Sequence, residues 1–163
     1  MSEIERIVVQ LNRSFERESW HGPAVLEVLE GVTAAEASFQ PAPDVHSIEE
    51  LVRHMAVWKH AVSERIQGRP MNPTPDQDWS RDGPPDARRW AEAVEALRQA
   101  HRTLVTAVGS LSDGDLDESP VGKPSRYVLI HGAVQHDLYH AGQIAILKKL
   151  ARARAAHEPV SRS

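Results

Sequence analysis

Apolar side chains recur at helical spacing along most of this chain, and no stretch alternates apolar and polar residues with the period of a strand. Residues 4–18 place Ile4, Ile7, Val8, Leu11 and Phe15 on one face, and Gly22-Pro23 predicts a break after them. A second helical stretch carries Val25, Leu26, Val28 and Leu29. Thr33 and Glu36 then have the form of a capping box that opens a short turn of helix. Pro41-Ala42-Pro43 predicts an extended connection. Ser47 and Glu50 form a further capping box, which opens the clearest helix of the chain, 48–67, with Ile48, Leu51, Met55, Trp58 and Val62 on its apolar face.

Residues 69–85 read as a loop dense in proline, with Pro70, Pro73, Pro75, Pro84 and Pro85. Loops of this length in a compact domain are often functional lids or simply mobile. Asp86 is placed to cap a helix over 87–109, whose stripe is Trp90, Val94, Leu97, His101, Leu104 and Val108. The last helix is expected over about 126–151, with Leu129, Ala133, His136, His140, Ile144 and Leu147 on one face. Long helical segments joined by loops predict an all-α fold, a four-helix bundle. The bundle is expected to occupy residues 1–152 as one domain, followed by a flexible tail over 153–163.

Composition narrows the function classes. With a formal charge of −4, the 163-residue chain offers no electrostatic footprint for nucleic acid. The cluster Lys148, Lys149, Arg152 and Arg154 falls near a helix end, where compensation of the helix dipole accounts for it. No apolar run is long enough to span a bilayer, and the start Met-Ser-Glu-Ile-Glu-Arg lacks the apolar core of a secretory signal. A cytoplasmic location is therefore expected. The absence of cysteine removes disulfides, iron–sulfur clusters and thiolate metal sites. Nine histidines remain, and their placement matters more than their number.

His136 and His140 are four residues apart, so they share a helix face one turn apart, a separation that lets two imidazoles reach one ion at about 2.1 Å each. Both lie on the inward stripe. His54 occupies the inward flank of the 48–67 helix, between Leu51 and Trp58. Each unsatisfied imidazole nitrogen in a core would cost about 1–3 kcal/mol, and a shared metal ion is one way to satisfy all three rings. His101 also sits on an apolar stripe, where a fourth ligand, a proton carrier and a buried group bonded to a carbonyl are all open. His60, His131 and His157 fall on polar faces or in the tail, and no role follows for His46 or His21. Di-iron carboxylate chemistry needs two Glu-x-x-His motifs; Glu18-Ser19-Trp20-His21, beside the expected break, is the one match.

Two segments carry a family resemblance: His46-Ser47-Ile48-Glu49-Glu50-Leu51-Val52-Arg53-His54-Met55-Ala56-Val57-Trp58 and Gln135-His136-Asp137-Leu138-Tyr139-His140-Ala141-Gly142-Gln143-Ile144. Together with Trp20-His21-Gly22-Pro23 and Asp78-Trp79 they resemble the DinB-like superfamily of metal-binding four-helix bundles, which includes thiol-dependent S-transferases. The resemblance spans nearly the whole chain. It implies that His54, His136 and His140 bind one divalent metal ion, the same three residues that the helical faces single out. It further implies a homodimer, and a small thiol such as bacillithiol or mycothiol as partner in some members.

Three protein ligands leave a coordination position for water or substrate, the pattern of catalytic rather than structural sites. The expected activity is activation of a low-molecular-weight thiol or water for attack on a small electrophile, of S-transferase or hydrolase type. The alternative is a non-catalytic bundle with a structural metal. Zinc, nickel, iron and manganese all accept imidazole. Tyr139 and Gln143 flank the histidine pair as donors or packing groups, and Asp137 is either surface or support for a histidine on a neighbouring helix. Trp20, Trp58, Trp79 and Trp90 are candidates to line a pocket, with Trp79 placed as a lid residue and core packing the default for Trp58 and Trp90.

Overall fold

Side-chain caps start most of the helices. Ser2, Thr33, Ser47, Thr74 and Asp86 each accept a hydrogen bond from the backbone N–H three residues on, which satisfies a donor the helix itself leaves open. The computed structural model describes residues 1–80, 83 and 86–157; Pro84 and Pro85 of the expected loop and residues 158–163 of the expected tail lie outside the described residues. Seven α-helices and no strand are present among the described residues: α1 (Glu3–Phe15), α2 (Val25–Leu29), α3 (Ala34–Ala37), α4 (Ile48–Ile66), α5 (Pro75–Asp78), α6 (Ala87–Gly109) and α7 (Arg126–His157). The all-α expectation is met. No helix among these residues is long and apolar enough to cross a membrane.

Three boundaries differ from the sequence-based expectation. α1 stops at Phe15, three residues early, because Glu18 turns into the left-handed region (φ 66°) and the Ser19 hydroxyl donates back to the Arg13 carbonyl. The proline-rich loop contains α5, started by Thr74 with Pro75 at the first helical position and Gln77 closing a capping box. α7 runs on to His157 rather than ending near 151, since Ala151–Ala156 contains only alanine and arginine, both strong helix formers. Lys148 and Arg152 therefore lie within α7. Lys148 Nζ donates to the carbonyls of Val28 and Glu30, and Arg152 pairs with Glu36, so both clamp α2 and α3 onto α7 rather than serving its own terminus.

α1 and α4 each pack against both α6 and α7, so the long helices cycle α1–α6–α4–α7 around the core. α4 ends in a Schellman motif: Gly68 (φ 81°) donates to Arg65 O and Arg69 donates to Glu64 O.

The core is divided. One apolar cluster contains Phe15, Met55, Leu97 and Ile144, and another contains Leu11, Ile66, Leu104 and Ile130. Between them in sequence, every long helix contributes a buried polar residue: Ser14 from α1, Lys59 from α4, His101 from α6 and Asp137 from α7. Lys59 Nζ donates to Asp137 Oδ2 at 2.6 Å and approaches His101 Nδ1 at 3.4 Å; Ser14 Oγ lies 3.3 Å from Asp137 Oδ2, and His101 Nε2 bonds Asn12 Oδ1 at 3.1 Å. The His101 ring stacks on Phe15 with centroids 3.9 Å apart.

Candidate metal centre

His54 lies one turn below the Ser47–Glu50 capping box on α4, on the flank that meets α7. His136 and His140 face it from successive turns of α7. The Nε2 atoms of His54 and His136 are 3.0 Å apart, and those of His136 and His140 are also 3.0 Å apart. One ligand nitrogen from each ring falls within 4.8 Å of the others, a group that could hold a metal ion. Tetrahedral coordination at about 2.1 Å would place such nitrogens about 3.4 Å apart, close to these separations.

On His54 and His140 the opposite ring nitrogen is tied down. His54 Nδ1 donates to Asp78 Oδ1 at 2.7 Å, and the same oxygen accepts from Trp58 Nε1 at 2.6 Å. His140 Nδ1 donates to Gln143 Oε1 at 2.6 Å. Each bond puts the ring proton on Nδ1 and leaves the Nε2 lone pair turned inward. A single N–H on His136 could satisfy only one of the two lone pairs facing it. A cation satisfies all three rings, so the donor set fits a divalent ion.

Electrostatics agree with neutral ligands. Burial holds His54 and His140 below the ordinary imidazole range, although Asp78 and Gln143 pull the other way. His136 is pushed down to about 3, first by burial and then by the rings of His140 and His54. His54 and His140 are buried and His136 half-buried. The Trp79 indole covers the outer face of His54, stacked on it at 4.0 Å and on His46 at 3.6 Å, so three rings form one pile. Cavities open on both sides: one of about 190 Å³ beside His136 and one of about 530 Å³ beside His140 and Tyr139.

Several expectations need correction. Asp137 is neither surface nor support for a histidine ligand; one step along α7 from His136 turns it into the core, where it is fully buried and paired with Lys59. His101 is not a fourth ligand, because Asn12 and Lys59 take its two nitrogens. Trp20 is fully exposed and lines nothing at the site. Trp90 is a core residue whose Nε1 donates to Val32 O. Trp79 is stacked on His54 and lines the larger cavity beside His140, as a pocket residue was expected to, and Gln143 supports His140 as an acceptor. His46, left without a role by the sequence, closes the ring pile. Asp78 was missed as the anchor of His54; the Thr74–Gln77 capping box inside the loop is the signal that would have placed it at the end of a helix.

The fold has a relative among solved structures. A conserved protein of Enterococcus faecalis, 18% identical, superposes with a TM-score of 0.65 over 94% of this chain and 99% of its own, a likeness of fold. No curated protein sequence matches the chain. The model of the DinB superfamily matches residues 19–144, a span that contains α4, all three clustered histidines and both anchoring residues; the chain belongs to the DinB superfamily.

Proposed function

We propose that this protein holds one divalent metal ion on His54, His136 and His140 and uses it to activate a small thiol or water for attack on a small electrophile, in an S-transferase or hydrolase reaction. The observation that carries the reading is the inward convergence of three Nε2 atoms with the other nitrogens of His54 and His140 anchored outward. When bound, the ion would supply Lewis-acid activation of a thiol or water at a position the protein leaves open.

The chain's own residues do the rest. Asp78 and Gln143 fix two tautomers and ring orientations before any ion arrives. Trp79 shields His54 from water on its outer face. The cavities beside His136 and His140 give a substrate room to approach. A purely structural metal would call for a fourth protein ligand to close the shell, and His101, the sequence's candidate, is held by Asn12 and Lys59.

Elemental analysis of purified protein tests the metal, and a thiol-conjugation assay with a chromogenic electrophile tests the reaction. Wild type should carry about one ion per chain and His136→Ala almost none, and conjugation should vanish with chelation and return with the ion. Equal, negligible metal in both proteins would remove the reading. Metal without any ion-dependent thiol or water chemistry would favour the structural alternative.

A further inference from the structure

The cavity beside His136 is lined mainly by apolar groups, among them Trp58, Val62, Leu129 and Ala133, with a volume of about 190 Å³. Two cationic side chains reach it, Lys59 and Arg65. The charge of Lys59 is answered by Asp137 at 2.6 Å. That of Arg65 is not. Its Nε donates to Met71 O and its Nη2 to Asn72 Oδ1, both at 2.7 Å and both neutral acceptors. No ion pair among the described residues includes it. The guanidinium is half-buried and lies over the Trp58 ring, 5.4 Å from its centroid. Nη1 makes no hydrogen bond to any described residue, so part of the planar donor fork is open to a ligand.

An uncompensated cation at an apolar wall attracts an anion more strongly than one in open water, because the low-dielectric surroundings screen less. Size sets the other limit. An apolar cavity of roughly 150 Å³ holds benzene, so this one has room for a ring and a short polar arm.

We infer that this cavity binds a small aryl or branched-alkyl monocarboxylate, its apolar body against Trp58 and Val62 and its carboxylate on Arg65. Such a molecule would be the electrophile or product of the proposed reaction. That assignment rests on the metal reading, through His136 on the cavity wall, whereas the binding itself does not.

The test uses full-length protein stripped of metal and freed of chelator, so that a carboxylate cannot score by ligating an ion. Benzoate and its neutral isostere benzamide are titrated while the Trp58 indole N–H is followed by NMR. Benzoate should bind at least about tenfold more tightly, the margin of a charge-assisted hydrogen bond. Arg65→Gln should bring benzoate down to the level of benzamide and leave benzamide unchanged, which a loosened loop at Met71–Asn72 would not do. Val128→Trp, at the exposed rim of the cavity, should exclude both probes without touching the core. Equal affinity for the two probes in wild type would overturn the inference, as would a benzoate preference that survives in Arg65→Gln or binding that persists in Val128→Trp. Metal uptake is measured on the same preparation. Protein that takes no ion yet prefers benzoate would refute the metal reading alone, and protein that takes the ion without that preference would refute this inference alone.

Discussion

Asp78 Oδ1 accepts from His54 Nδ1 and from Trp58 Nε1 at once, so a four-residue helix in a proline-rich loop fixes a ring on α4. Removing such an anchor frees the ring to rotate and weakens its basicity. Asp78→Ala is expected to lower metal affinity by about 10–100-fold while leaving the helical content unchanged. Competition against a chromophoric chelator measures it; an affinity equal to wild type would show that the bond holds only the loop.

Metal should also stabilise the fold. An ion bound only to the native state, at about 100 times its Kd, adds about 2.7 kcal/mol. For a chain of this size that raises Tm by about 5–10 °C. The shift should be absent in His54→Ala and in His140→Ala, and a scan with and without chelator reads it directly.

The core ion pair gives a third expectation. Lys59→Met or Asp137→Leu alone strands the opposite charge in an apolar interior and should cost about 3–5 kcal/mol. The double variant should cost clearly less than the sum of the two. Urea unfolding of the four proteins closes the cycle, and additive losses would mean that the two groups do not depend on each other.

His101 predicts a pH dependence. Burial, then the Lys59 and Arg102 charges, push this imidazole down to about 3, while the unfolded chain takes a proton near the ordinary value of 6.5. The folded pKa is the lower one, so its contribution is complete above pH 6.5 and is lost as pH falls from there toward 3. The slope is about 1.4 kcal/mol per pH unit for this one group. The fall in unfolding free energy from pH 7 to pH 5 should therefore be smaller by about 2 kcal/mol in His101→Gln than in wild type. Parallel pH profiles for the two proteins would contradict a neutral buried ring.

The elements with the longest pattern were readable in advance. α4 and α6 start where Ser47 and Asp86 cap them, and the inward faces of α4 and α7 single out His54, His136 and His140 without reference to any relative. What stayed hidden depends on contacts between distant positions. A carboxylate beside His136 looks like surface until the ammonium of Lys59, 78 residues earlier, is seen to meet it. Lys59 itself is one of four lysines in the chain, and the identity of its partner cannot be read from its neighbours in sequence. α5 is only four residues long, too short for a period of apolar positions to register, so its capping box was the sole trace of the element that carries Asp78.

The polar belt across the bundle bears on His54, His136 and His140 although none of these three belongs to it. Sliding α4 along α7 by one turn, about 5.4 Å, would set the Lys59 ammonium against aliphatic side chains and leave the Asp137 carboxylate alone. No comparable penalty attaches to moving leucine past isoleucine. The belt thus works as a key cut into an otherwise greasy lock: it allows one axial alignment of the two helices, and in that alignment an imidazole from α4 comes level with the pair on α7.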